Sequence, residues 1–195
     1  MTQFLRIATL FLGLALLTGC AGFRSGETAD LGTWPQAKEQ KPSLRYVVEG
    51  KVKMNDEDSA VAPAAVKAWS DIAGKAYKES NLFSSVNEGF GDADITAEVK
   101  VTNDGHGSLP LAFISGLTFG VLPTTAEDRV ITQTTYRNRD GKVLAEVTKQ
   151  DSVRTWFQIL LLPGAVIANP FSKINQIHYD NNKATILDAS KNGVF

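Results

Sequence analysis

The sequence predicts an α/β (α+β) sandwich: one mostly antiparallel sheet of about four strands with two helices on a face, in the order β-α-β-β-β-α. Three observations carry that expectation. Apolar and polar residues alternate over 44–54 and again over 93–102, the period of a half-buried strand. Between those stretches, apolar residues recur at helical spacing from Val66 to Tyr77. Farther on, Asp140-Gly141 separates two strand-like runs and suits a tight hairpin turn.

In chain order, the first strand puts Leu44, Tyr46, Val48, Val52 and Met54 on one face. Arg45, Glu49, Lys51 and Lys53 take the other, and Gly50 is a candidate bulge. Asp56-Glu57-Asp58-Ser59 then offers acidic N-cap candidates for a helix whose first turn suits Pro63. In that helix Val66, Trp69, Ile72, Ala73, Ala76 and Tyr77 face the core, while Lys67, Asp71, Lys75 and Lys78 face water. The next strand alternates Ala93, Ile95, Ala97, Val99 and Val101 with Asp94, Thr96, Glu98, Lys100 and Thr102. Strand, helix and strand make a βαβ or split βαβ unit. Pairing Arg139 with Lys142 sets Tyr136 opposite Ala145 and Thr134 opposite Val147, giving one apolar and one polar hairpin face. A weaker amphipathic pattern from Ser172 to Ala189 predicts a last helix before Gly193, with His178 at its surface or boundary.

The first helix, its Leu82-Phe83-Ser84-Ser85-Val86 exit and the Ala93-Asp94-Ile95 strand carry a resemblance over residues 44–102. They resemble small periplasmic lipoprotein domains of the curli-secretion and TolB N-terminal kind. The resemblance implies an α/β domain serving in envelope assembly, secretion or synthase activation, and it assigns no functional residue.

Two segments, 109–123 and 156–171, are rich in apolar residues and free of charge. Each is too short to span a bilayer as a straight helix. Hairpin pairing brings both to its open end. They either fill the core as buried loops and helix starts, or form an apolar lobe facing a membrane or partner. On the second reading the candidate interaction surface is Phe113, Leu117, Phe119, Trp156 and Leu161. Gly116 and Gly120 have the small-xxx-small spacing of close-packed helices, which a turn explains equally well.

A search for chemistry predicts no catalytic residue, no metal site and no cofactor. Gly105-His106-Gly107-Ser108 lacks the spacing of a nucleophile elbow. Asp94 and Glu98 share a strand face expected to be solvated, and Asp56-Glu57-Asp58 lacks the spaced ligands of a calcium loop. With 20 Lys and Arg against 21 Asp and Glu, and no basic stripe, nothing points to nucleic acid. The single cysteine excludes an intrachain disulfide.

That cysteine ends Leu17-Thr18-Gly19-Cys20, after an apolar run from Ile7 with Arg6 ahead of it, the layout of a secretory signal. The four residues resemble the lipobox of bacterial lipoproteins. The resemblance implies that residues 1–19 are a signal peptide, that Cys20 is lipidated, and that the membrane is a partner through this anchor. Ala21 stands where Asp would favour inner-membrane retention, which implies the outer membrane, facing the periplasm. Residues 20–42, rich in Gly, Ser, Thr, Gln and Lys with Trp34 among them, are expected to be a flexible tether. Residues 43–195 are expected to form a single α/β domain. The function so expected is that of a lipid-anchored cell-envelope protein with a non-enzymatic binding role in envelope assembly, transport or regulation. Its partner would be another envelope protein. The alternative is a periplasmic lipid- or apolar-ligand-binding lipoprotein using Phe113, Phe119 and Trp156.

Overall fold

The computed structural model describes residues 20–24, 28, 31–158 and 170–195. The expected signal peptide and Leu161 lie outside them. The strands are β1 (Cys20–Arg24), β2 (Ser43–Met54), β3 (Glu57–Ser59), β4 (Ser85–Glu88), β5 (Ile95–Gly107), β6 (Thr124–Asn138) and β7 (Val143–Phe157). The helices among the described residues are α1 (Pro63–Ser80), α2 (Leu109–Leu117) and α3 (Pro170–Lys191). The strands form one seven-stranded sheet in the order β1-β7-β6-β5-β2-β3, with β4 also paired to β2.

The four-strand, two-helix sandwich is therefore corrected to a seven-stranded mixed sheet with three helices, still of the α/β class. Helices α1 and α3 cover one face. The strands missed are short and lie at the sheet's edges, where backbone pairing to a neighbour suffices and no apolar alternation is needed. The helix missed, α2, is charge-free and buries only Ser115, so it has no core-facing stripe to give it a period.

The α1 crossover joins β2 to β5 as a parallel pair, from Leu44 opposite Ile95 to Met54 opposite Gly105. That pairing runs without a break at Gly50, so no bulge forms there. Gly50 instead makes room for Trp69: an added Cβ would lie 2.7 Å from its ring. Helix α1 starts with Pro in its first turn and with Ala62 at the N-cap, where no side-chain cap bond forms. The acidic residues expected to cap it belong to the β2–β3 turn and to β3 itself.

The hairpin has Tyr136 opposite Ala145 and Thr134 opposite Val147. Its turn is one residue longer than the two-residue form. The Gly141 N–H donates to the Asn138 carbonyl and the Asn138 N–H to the Lys142 carbonyl, with Gly141 at φ 79°. A register shift between Tyr136 and Arg137 absorbs the extra residue and restores the pairing beyond it.

Leu44, Tyr46, Ala97, Val99, Val130 and Tyr136 line the covered sheet face. Trp69, Ala73 and Tyr77 of α1 and Ile177, Ile186 and Ala189 of α3 close over them. His178 is fully buried rather than at the surface, its ring centroid 5.3 Å from that of Trp69. Burial without a charged partner pushes its pKa down to about 4.

The expected flexible tether is also corrected at its start. Residues 20–24 pair antiparallel with β7, Cys20 opposite Phe157 and Arg24 opposite Val153. Arg24 then bridges two elements. Its guanidinium reaches the buried Asp151 of β7, with Nε 2.6 Å from Oδ2, and Asp180 of α3 at 2.5 Å. Thr28 is buried, Trp34 packs against the core, and the Lys183 ammonium lies 5.1 Å from the Trp34 ring centroid. Composition alone hid this, because the contacts of one half-buried arginine and one aromatic are made with residues far away in the sequence.

Candidate functional site

The open end of the β6–β7 hairpin collects Thr124, Phe157 and, through β1, Cys20. The last residues of β5 and the turn after β2 end there too, since Met54 pairs with Gly105 and Gly107 with Ala126. Helix α2 follows β5 directly at this end, started by Ser108, whose hydroxyl accepts the Leu111 N–H.

This end is apolar and open to water. Phe113 is 69% exposed, Leu117 65%, Phe119 72% and Trp156 41%. Leu109, Leu111, Val121, Leu122 and Phe157 are exposed beside them. Thus four of the five residues expected to form an interaction surface stand exposed at one end of the sheet. For 109–123 the buried-loop alternative is excluded, because no large apolar side chain there is buried. The fifth residue, Leu161, is outside the described residues.

The end of α2 is built in an unusual way. The Phe119 N–H donates to the Gly116 carbonyl at 3.1 Å and the Gly120 N–H to the Ser115 carbonyl at 2.8 Å. This is the Schellman pattern, whose left-handed position favours glycine. Here it holds Phe119, at φ 51°. A left-handed conformation costs a non-glycine residue roughly 1–2 kcal/mol. Gly120, at φ 77°, and Gly116 thus serve the helix end, which explains their spacing as a turn.

Charged groups flank the lobe without entering it. Arg154 donates to Glu127 at 2.8 Å, and that hydrogen bond holds the Glu127 carboxyl below its ordinary value. Burial raises Asp128 above its ordinary value. Between α2 and the strands lies a groove of about 460 Å³, lined in part by His106, Leu111, Ala126, Arg154 and Trp156.

Elsewhere the carboxylates weighed for acid–base work are engaged in structure. Asp94 accepts from the Ser43 N–H and hydroxyl and from Arg139, while Arg137 donates to Glu98 at 3.1 Å. Sequence spacing did miss one convergence: Asp56, Asp104 and His106, from the β2–β3 turn and β5, come together beside the lobe. Their signal is long-range, because only the parallel β2–β5 register joins them.

No family model and no curated protein matches the chain. Among solved structures it is similar to a PelC dodecamer from Paraburkholderia phytofirmans, at 10% identity and a TM-score of 0.36, covering 84% of this chain and 95% of that one. It is also similar to a neuraminyllactose-binding hemagglutinin homolog from Helicobacter pylori, at 11% identity and a TM-score of 0.37, covering 83% and 99% respectively. At these scores neither likeness bears on what the chain binds.

Proposed function

We propose that the chain is a lipid-anchored cell-envelope protein with a non-enzymatic binding role, seated on its membrane by the apolar end of the sheet. The observation that carries this reading is positional. Cys20, the expected lipid acceptor, pairs with Phe157 at the same end that exposes α2, Phe119 and Trp156. No described helix is long and apolar enough to cross a membrane. The exposed apolar side chains of this lobe, with charged groups at its flank, suit it to lie in the interface. Trp156 beside charged Arg154 and Glu127 fits the headgroup level, where indole rings concentrate. The lipid that the lipobox resemblance implies on Cys20 carries at least two acyl chains and holds the chain at the membrane, while an apolar surface next to the anchor fixes how the domain sits on it. The opposite end of the domain, with the Asn138–Lys142 turn and the Asp94–Arg139 ion pair, would face water and other envelope components.

The test uses a chain starting at position 20 with Cys20→Ser, so that neither signal nor lipid contributes. It should co-sediment with phospholipid vesicles, and Leu117→Asp should abolish that binding while leaving it folded. Absence of vesicle binding by the unaltered domain refutes the seating.

The groove beneath α2 favours a second reading, a carrier of an apolar or amphipathic ligand. Saturable quenching of tryptophan emission by a soluble brominated fatty acid, in the absence of vesicles and lost in Trp156→Phe, would support it over the first.

A further inference from the structure

We propose that Asp56, Asp104 and His106 form a site for one divalent first-row transition cation of the Zn²⁺ type. Each residue offers one ligand atom, and these atoms lie within 4.8 Å of one another. Through one ring nitrogen, His106 Nδ1 is 3.7 Å from Asp104 Oδ1. With bonds of about 2.0–2.2 Å at a tetrahedral angle, two ligands of one ion stand roughly 3.3–3.6 Å apart. Asp56, whose side chain is 77% exposed and now lies nearer the other ring nitrogen, turns toward the ion to complete the set.

Two groups in the cluster lack what their burial demands. The Asp104 side chain is only 7% exposed, yet among the described residues its carboxylate accepts one long hydrogen bond, from the Asp56 N–H at 3.4 Å. His106 Nδ1 is buried, faces that carboxylate and has no hydrogen-bond partner. Buried polar groups are normally satisfied, and a cation bound here would satisfy both.

The frame is fixed in place. The Asn55 N–H donates to the Gly105 carbonyl at 2.8 Å, and the Gly107 N–H donates to Asn55 Oδ1 at 3.0 Å. These bonds fasten the turn that carries Asp56 to the strand that carries the other two ligands. In the sheet register Lys53 and Arg129 stand opposite Asp104, while Glu127 stands opposite His106 and Asp128 opposite Gly105. The two acids offset the two bases, so the three ligands set the local preference. One imidazole with two carboxylates suits Zn²⁺ or Mn²⁺ better than Ca²⁺ or Mg²⁺, which take oxygen ligands. Water would complete the coordination. An ion held here would tie the β2–β3 turn to the end of β5, two residues before the Ser108 cap of α2.

The proposal is independent of the membrane reading. Its test is calorimetric titration of the metal-stripped full-length chain in detergent with ZnCl₂ alone, and with CaCl₂ as comparison. The expected result is one Zn²⁺ per chain, little response to Ca²⁺, and affinity lowered at least tenfold by Asp56→Asn and by His106→Gln. Because Asp56 is exposed, its variant keeps the fold and decides the matter if the histidine variant does not. No saturable Zn²⁺ binding, or unchanged affinity in Asp56→Asn, overturns the site.

Discussion

Replacing Phe119 by Gly separates folding from membrane seating, because the two effects have opposite signs. In the fold, Phe119 occupies the left-handed position of a helix end that favours glycine. Relief of roughly 1–2 kcal/mol of backbone strain is partly offset by about 0.5–1 kcal/mol of extra chain entropy in the unfolded glycine variant. The ring is 72% exposed, so the fold loses little packing. Phe119→Gly should therefore match or exceed the parent in urea stability, by up to about 1 kcal/mol. Membrane binding should move the other way. An aromatic side chain presents about 200 Å², so roughly 140 Å² of this one is open to a bilayer, worth about 3.5 kcal/mol if wholly removed from water. Half immersion in the interface leaves about 2 kcal/mol, or roughly 30-fold in vesicle partition. The assay pairs urea denaturation with vesicle co-sedimentation of the non-lipidated domain. Unchanged partition in a stably folded variant would refute the role given to this ring, and a marked loss of stability would refute the account of the helix end.

Other expectations follow from single residues. Cys20→Ser removes the sequence's one thiol, so incorporation of a fatty-acid analogue should vanish; equal labelling of both chains would count against lipidation at this site. Trp69→Ala should cost roughly 3–5 kcal/mol, whereas Lys67→Ala on the exposed side should change stability by less than about 0.5 kcal/mol, as urea midpoints would show. Gly74→Ala places a methyl against the Tyr46 hydroxyl, so it should destabilise by about 1–3 kcal/mol despite the gain in helix propensity. His178 is held neutral, with a folded pKa of about 4 against an ordinary 6.5. Between those values the unfolded chain binds a proton that the folded chain refuses. Its contribution is intact above pH 6.5 and falls by up to about 3 kcal/mol as the pH drops to 4; a His178→Met variant should show that much less acid sensitivity in thermal unfolding.

The sequence made legible whatever the core dictates. Alternation from Leu44 to Met54 and from Ala93 to Val101 marked two strands because each has one buried and one wet face. The α1 stripe through Trp69 and Tyr77 did the same for the helix. Asp140-Gly141 located the hairpin, and its register beyond the turn survived the extra residue because a one-residue slip would have exposed Tyr136 and Val130. What stayed hidden were elements made by backbone pairing or by long-range contact. Glu57–Ser59 and Ser85–Glu88 pair along one edge of β2 with no buried face of their own to reveal them. Cys20–Arg24 looks like linker until Asp151 and Asp180 are placed around Arg24. At the candidate site, the lack of charge over 109–123 identified the lobe, but whether it was buried depended on what the fold left uncovered. The Asp56, Asp104 and His106 cluster was invisible for the same reason, since its members meet only across paired strands.

The central claim is that the sheet's apolar end lies in the membrane to which Cys20 is tied. Its most direct test is depth measurement on the lipidated protein in vesicles, with one nitroxide at a time. Once Cys20 carries its lipid, an introduced cysteine is the only free thiol to label. Labels at Phe113→Cys and Phe119→Cys should be relaxed by oxygen dissolved in the acyl region, while a label at Asp140→Cys, in the turn at the far end of the hairpin, should be reached only by a water-soluble relaxant. All three labels reporting aqueous surroundings would contradict the seating of this domain on its membrane.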